Sequence, residues 1–140
     1  MNCKATLKAN VIYILLTIAF IVLLGAYVWD QPNGASVWAE YYSKEIARMI
    51  NVAEPGQTIT LDVHKATEVA YNNYFRDQNK IFEFHNERNE VCVKLTTYRK
   101  TCYTYFNDVD IVEYKIIPGR PINLLEFTVQ EKPTTEENDE

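Results

Sequence analysis

The first hydrophobic pattern along the chain is an uncharged run from Val11 to Trp29, VIYILLTIAFIVLLGAYVW. As a helix this run is about 28 Å long, close to the ~30 Å thickness of the hydrocarbon core of a bilayer. It has no polar stripe, it is too long for the core of a cleaved secretory signal, and Leu24 stands where cleavage after Ala26 needs a small residue. We therefore predict a transmembrane helix over residues 11–29, in preference to a cleaved signal or a buried helix of a soluble protein.

An amphipathic pattern follows a short linker of turn-forming residues, DQPNGA, at positions 30–35. We predict that Ser36 is the N-cap of a helix that ends near Val52, with Glu40, Lys44 and Arg48 on its solvated face. The apolar positions recur at helical spacing, and they are Trp38, Tyr42, Ile46, Met49 and Ile50. This stripe favours a helix lying on a sheet, with packing on a neighbouring subunit as the alternative.

After the turn Glu54-Pro55-Gly56, alternation of apolar and polar residues predicts strands around positions 58–63, 80–85, 90–96, 101–106, 112–116 and 125–129. The fifth strand has Val112, Tyr114 and Ile116 on one face. Residues 65–79 stay open between a short helix over 67–75 and an irregular strand. Short polar turns between consecutive strands indicate a mostly antiparallel sheet. With the amphipathic helix on one face, this predicts an α+β domain over residues 36–130.

Charge predicts the orientation of the apolar helix. Lys4 and Lys8 precede it, whereas Asp30 follows it and no Lys or Arg occurs again until Lys44. Because positive charge is retained on the cytoplasmic side, we predict a cytoplasmic N-terminus and a domain outside the cell membrane. Trp29 then lies at the outer interface, where amphipathic rings are enriched.

The soluble part is acidic. From Asp30 onward the chain has 12 of its 14 Lys and Arg residues and all 19 Asp and Glu residues, a net charge of −7. Residues 131–140 contribute one Lys and five acids to this total, and their composition predicts a disordered acidic tail. Nucleic-acid binding needs clustered Lys and Arg, which this sequence lacks, so nucleic acid is excluded as a predicted partner.

The most specific chemical signal is the pair Cys92 and Cys102, which lies symmetrically about Thr97 in adjacent strand patterns. A hairpin centred on Thr97 places the two residues opposite each other, within disulfide reach. An extracellular domain favours oxidation, and two buried free thiols are the alternative. A metal site is disfavoured because the spacing is not CxxC and no His lies nearby. Cys3 remains unpaired on the cytoplasmic side.

No motif indicates catalysis. His64 and His85 each end a strand pattern and belong to no paired motif, and the glycines of the domain lie at turns. Asp108 and Asp110 resemble half of a calcium loop without its Gly and Glu, so a turn is favoured. We predict no catalytic residue, no cofactor and no metal, and therefore a protein that is not an enzyme.

Aromatic residues are abundant, with ten Tyr and two Trp in the chain. Tyr is a common contact residue at interfaces and is also a strong strand former, so both interpretations stay open. The candidate interaction residues are Trp38, Tyr42, Tyr98, Tyr103 and Tyr105. The predicted partners are the membrane and either another protein or a second copy of the chain.

The order of parts carries a resemblance. An apolar span, a helix containing KEIARMI, a PG turn and a Tyr-rich strand series ending in PGRPINLLEFTV resemble small single-pass, pilin-like proteins of unassigned function from DPANN archaea. Lys8-Ala9 lies just before the run, where it loosely fits a pilin cleavage site. Asn10 is an unusual first residue after such a cut, and Ile14 stands where a type IV pilin has Glu. Three hypotheses follow: a membrane-anchored interaction or assembly module, a pilin-like filament subunit, and an accessory subunit of a membrane complex.

Overall fold

The computed structural model describes residues 3–29 and 34–133, with the side chains of the first helix described over residues 10–27. The chain divides into two units, Met1–Pro32 and Asn33–Glu140. Most of the predicted linker and residues 134–140 of the predicted tail lie outside the described residues.

The described part of the first unit is the helix α1 (Cys3–Trp29). Its segment Asn10–Tyr27 has a mean hydropathy of 2.3 and is long and apolar enough to cross a membrane. All described side chains of α1 are exposed. The hydroxyl group of Thr17 donates a hydrogen bond to the carbonyl of Tyr13 (2.8 Å), so this polar group is satisfied within the helix. The sequence prediction of an N-terminal apolar helix is confirmed, with a start at Cys3.

The second unit opens with α2 (Ala35–Val52), whose buried face matches the predicted stripe. Tyr42, Ile46 and Ile50 are buried, and Trp38 and Met49 are partly buried against the same core. The predicted polar residues of this helix are exposed.

The start of α2 differs from the prediction. Gly34 is the N-cap, with φ of +70°, and its carbonyl accepts a hydrogen bond from the N–H of Trp38 (3.0 Å). Ser36 lies inside the first turn, so its assignment as the N-cap is wrong. The left-handed conformation at this position suits glycine, which has no Cβ to clash with the backbone.

Residues 64–72, which the sequence left open, form α3 (His64–Asn72). The carboxylate of Asp62 accepts a hydrogen bond from the N–H of His64 (2.9 Å) at the start of this helix. One side of α3 is buried, and it consists of Ala66, Thr67, Val69 and Ala70. The helical alternative therefore holds, three residues earlier than the predicted range.

Within the described residues, six strands form two three-stranded antiparallel sheets. The strands are β1 (Thr58–Asp62), β2 (Phe82–His85), β3 (Glu90–Val93), β4 (Thr101–Thr104), β5 (Val109–Ile117) and β6 (Leu124–Glu131). The order is β1-β6-β5 in the first sheet and β2-β3-β4 in the second. The α+β class is confirmed. The prediction of one sheet under one helix is wrong, because the strands divide into two sheets, and α3 lies in the connection between β1 of the first sheet and β2 of the second.

β5 contains an irregularity that changes which side chains face inward. Ile111 and Glu113 face the consecutive residues Val129 and Thr128, so Val112 is the extra residue of a β-bulge. Before the bulge, the odd-numbered residues Val109 and Ile111 face the core. After the bulge, the even-numbered residues Tyr114 and Ile116 contact it. Val112, the extra residue, is exposed.

Aromatic contacts join the layers of the core. The ring of Phe84 in β2 lies 5.0 Å from that of Tyr114 in β5 and 5.5 Å from that of Phe127 in β6. The ring of Phe82 lies 6.4 Å from that of Tyr42 in α2. The second sheet therefore packs on both α2 and the first sheet.

A side chain also joins the two sheets. The Nδ2 group of Asn86 donates to the carbonyl of Ile111 (3.0 Å), and the N–H of Ile111 donates to Oδ1 of Asn86 (2.9 Å). β5 is an edge strand, so this amide takes the place of a neighbouring strand at one residue.

The end of the domain lies later than predicted. β6 continues to Glu131, and Nζ of Lys132 lies 3.2 Å from Oδ1 of Asn89 and 3.6 Å from Oδ1 of Asp108. The first residues of the predicted tail therefore belong to the folded domain.

Candidate interaction surface

The structure separates the five predicted interaction residues into two groups. Tyr42 and Tyr105 are 5% and 1% exposed, so in this conformation they belong to the core and offer no contact to a partner. Tyr98 is 96% and Tyr103 43% exposed, and Trp38 is half-buried. Three of the predicted residues are therefore accessible.

Burial disfavours the ionised form of the two buried tyrosines. Burial raises the pKa of Tyr42. Burial, with a smaller effect from the charge of Asp110, raises the pKa of Tyr105 to about 12. The hydroxyl group of Tyr105 lies 3.5 Å from Oδ1 of Asn86, a long contact. Both residues act as large apolar side chains with a polar tip, as is common for Tyr in cores.

Accessible aromatic and basic groups meet where α2 packs on β4. The ammonium group of Lys44 lies 5.9 Å from the ring centroid of Tyr103, in a cation–π arrangement. Lys44 also forms an ion pair with Glu40, and this hydrogen bond lowers the pKa of Glu40 and raises the pKa of Lys44. Near the end of α2, Val52 and Phe106 are exposed. We call Lys44, Val52, Tyr103 and Phe106 the helix–strand face.

Local hydrogen bonds hold Phe106 in its exposed position. Oδ1 of Asn51 accepts hydrogen bonds from the backbone N–H groups of Phe106 (2.6 Å) and Asn107 (3.2 Å). The Nδ2 group of Asn107 donates to the carbonyls of Ile50 (2.8 Å) and Ala53 (2.9 Å), which satisfies acceptors at the end of α2. Phe106 is thus 86% exposed although its backbone is tied to the helix.

The cysteine pair fixes β4 to β3 beside this face. Cys92 and Cys102 face each other in the register, as the predicted hairpin requires, and their Sγ atoms lie 2.00 Å apart, at the distance of a disulfide bond. The carboxylate of Glu90 lies within 4.8 Å of both sulfurs. Because the sulfurs are bonded to each other, they offer no thiolate to a metal. The bond precedes Tyr103 directly and restrains the strand that presents it.

The two histidines and the two aspartates that resemble half of a calcium loop lie at separate places in the fold. His64 is exposed at the start of α3, whereas Nε2 of His85 lies 3.8 Å from Oε2 of Glu83 in β2. Asp108 is exposed in the turn before β5, and Oδ1 of Asp110 is buried with no hydrogen-bond partner among the described residues. The segment predicted as a turn connects β4 to β5, but its second half, Val109 and Asp110, already belongs to β5.

Two shallow grooves lie along β5. One has a volume of about 190 Å³ and includes Gln78, Asn79 and Tyr114 in its lining. The other has a volume of about 360 Å³ and includes Lys115 and Glu126, which form an ion pair (2.8 Å). These charged groups already pair with each other, so the groove does not direct them at a ligand.

Sequence reasoning did not single out Tyr41, which is 53% exposed on α2. Its exposure was predictable from the helical pattern, because a helix that places Tyr42 on the buried face rotates Tyr41 about 100° away from that face. Phe106 follows the predicted candidates Tyr103 and Tyr105 in the sequence, but its exposure depends on the turn that Asn51 and Asn107 build.

Comparison of the chain with protein-family models, with curated proteins and with solved structures finds no match. The resemblance to pilin-like proteins stays a prediction.

Proposed function

We propose that this chain is a single-pass membrane-anchored surface protein whose C-terminal domain is a non-enzymatic interaction module. The observation that carries the proposal is α1, which offers 18 uncharged, exposed residues over Asn10–Tyr27. An exposed apolar surface of this length is stable in a bilayer and costly in water.

The proposed orientation has the N-terminus in the cytoplasm and the domain outside. Lys4 and Lys8 precede the apolar segment, which matches the excess of positive charge on the cytoplasmic side of membrane proteins. The Cys92–Cys102 pair is compatible with this orientation, because disulfides persist in oxidising compartments.

The helix–strand face is the proposed contact site for a protein partner. It combines two exposed aromatic side chains with an aliphatic residue and a cation, and aromatic residues are enriched at interfaces. The disulfide and the Asn51–Asn107 turn hold the strand and loop that carry the two rings, so binding needs little ordering of these segments.

Membrane extraction and labelling of Cys3 test the anchor and its orientation. We expect the protein to resist alkaline carbonate, and we expect an impermeant maleimide to label Cys3 only after the cells are opened, with Cys3→Ser as the control. Intact mass should be that of the full chain and rise by about two daltons on reduction of the disulfide. Release by carbonate, labelling of Cys3 in intact cells, or a mass that begins near Tyr27 would each contradict the proposal.

Photo-crosslinking tests the contact site. A benzophenone amino acid is placed at Tyr103 or Phe106, and at Tyr74 as the control, which is 84% exposed and lies after α3. We expect discrete adducts from the first two positions and none from Tyr74. An adduct of two chains would indicate self-association, as in a filament, and a larger heterologous adduct would indicate a membrane complex. The absence of adducts from Tyr103 and Phe106 would contradict an interaction at this face.

A further inference from the structure

The first two turns of α2 carry a second exposed cluster, which we call the aromatic collar: Val37, Trp38 and Tyr41. Val37 is 66% and Tyr41 53% exposed, although both lie on a regular helix of the folded domain. The rings of Trp38 and Tyr41 contact each other edge to face, with centroids 5.8 Å apart. The collar is thus an ordered apolar patch with polar tips on its two rings.

The orientation of Trp38 is set by its neighbours. Its indole packs over Gly34, where an added Cβ would lie 3.7–3.8 Å from the ring atoms, and the side chain also packs against the core. The ring of Tyr41 is also 5.2 Å from that of Tyr42, which is buried. These contacts hold the collar in one arrangement before any partner binds.

Chain length limits where the collar can lie. Six Cα–Cα steps separate Trp29, the last residue of α1, from Ala35, the first of α2. At no more than ~3.6 Å per residue, these six steps span at most about 22 Å in any conformation. If α1 crosses the bilayer, the collar therefore stays within reach of the headgroup region.

We infer that the collar docks this end of α2 on the lipid surface, at the boundary between headgroups and acyl chains; this inference rests on the proposed membrane anchor. Trp and Tyr are the side chains that favour this boundary, because the ring is apolar and its N–H or O–H can reach water and headgroups. Residues 35–42 carry a single charge, on Glu40, and Lys44 pairs with it. Little charge has to be desolvated when this face approaches the lipid.

Tryptophan fluorescence of the full chain tests the inference, because the sequence has only two Trp residues, Trp29 and Trp38. Trp29→Phe leaves Trp38 as the reporter, and Trp38→Phe leaves Trp29 as the anchor control. Each variant is reconstituted in phosphatidylcholine vesicles with ordinary acyl chains or with acyl chains brominated near the headgroup. We expect bromine to quench the emission of both reporters, and that of Trp38 less strongly.

A charge placed in the collar supplies the matched comparison. In the Trp29→Phe background, Val37→Glu should abolish the bromine quenching of Trp38. Tyr71→Glu, which places the same charge at a comparably exposed position on α3, outside both named surfaces, should leave it unchanged. Quenching that survives Val37→Glu would overturn the inference.

The remaining outcomes separate the collar from the anchor. Quenching of Trp29 without quenching of Trp38 would refute lipid docking and leave the anchor intact. A blue-shifted Trp38 emission that bromine does not quench would show that protein covers the collar, which also refutes lipid docking. If neither reporter is quenched, the proposed membrane anchor itself fails.

Discussion

Replacement of Asn86 by alanine removes the amide that closes the edge of β5. Two backbone groups of Ile111 lose their partners, the carbonyl (3.0 Å to Nδ2) and the N–H (2.9 Å to Oδ1). Ile111 is only 6% exposed, so water does not readily replace the amide. The change also breaks a direct link between the two sheets.

The expected cost follows from these two bonds. A buried backbone group left without a partner costs about 1–3 kcal/mol, so the pair at Ile111 gives ~2–4 kcal/mol if water partly reaches one of them. The contact between Asn86 and the hydroxyl group of Tyr105 is 3.5 Å long and adds little. For a domain of this size, that loss corresponds to a decrease in Tm on the order of 10–20 °C.

Urea unfolding of the full chain in mild detergent measures this cost. Trp29→Phe serves as the background, because the partly buried Trp38 then reports unfolding of the domain alone. The midpoint should fall with an unchanged m value. Asn79→Ala, at an exposed position, should change stability by less than ~0.5 kcal/mol. A midpoint for Asn86→Ala equal to that of this control would refute the edge-closing role.

Three further predictions concern the disulfide, a buried tyrosine and the start of α2. Replacement of Cys92 and Cys102 by serine should lower the free energy of unfolding by ~2–3 kcal/mol, as expected for a loop of this length, and reductant should lower the urea midpoint of the parent but not of the variant. The pKa of Tyr105 is raised from 10 to about 12, so its contribution to the free energy of unfolding is complete below pH 10 and declines as the pH rises toward 12. Tyr105→Phe should make the loss of stability with pH shallower in that range. Gly34→Ala should destabilise the domain by ~1 kcal/mol in thermal unfolding, because its φ is +70°. Ser36→Ala, measured in the same way, should cost less than ~0.5 kcal/mol, and a larger effect would restore Ser36 as the N-cap.

Patterns within short stretches of sequence predicted most elements. The stripe of α2 and the alternation at Leu125, Phe127 and Val129 identify buried faces, because the period of side-chain direction is a local property. The register of Cys92 with Cys102 was also predictable, since a hairpin pairs residues at equal distances from its turn.

Features that depend on distant parts of the chain were not predictable. β1 pairs with β6, about 65 residues later, and no local pattern marks that choice over its neighbour in sequence. The bond between Asn86 and Ile111 likewise joins two sheets that the sequence did not separate. In α2, the inward stripe and the exposed Tyr41 follow from the helix, but the N-cap required the backbone conformation at Gly34.

The candidate surface was predictable only in part. Tyr103 and Tyr105 both alternate with polar residues, yet Tyr103 is half-exposed and Tyr105 is buried. β4 ends at Thr104, so alternation no longer governs the residue that follows. Composition thus identified the aromatic residues, and tertiary packing decided which of them reach the surface.

The bulge at Val112 bears on how copies of this domain can meet. An edge strand presents unpaired N–H and C=O groups to any extended chain nearby. Copies held on one membrane by the proposed anchor would be concentrated in two dimensions. A bulge interrupts the regular ladder that an incoming strand needs, and the exposed Glu113 and Lys115 place charges beside it. We expect copies to meet through side-chain surfaces, and the sheets of neighbouring copies to stay separate.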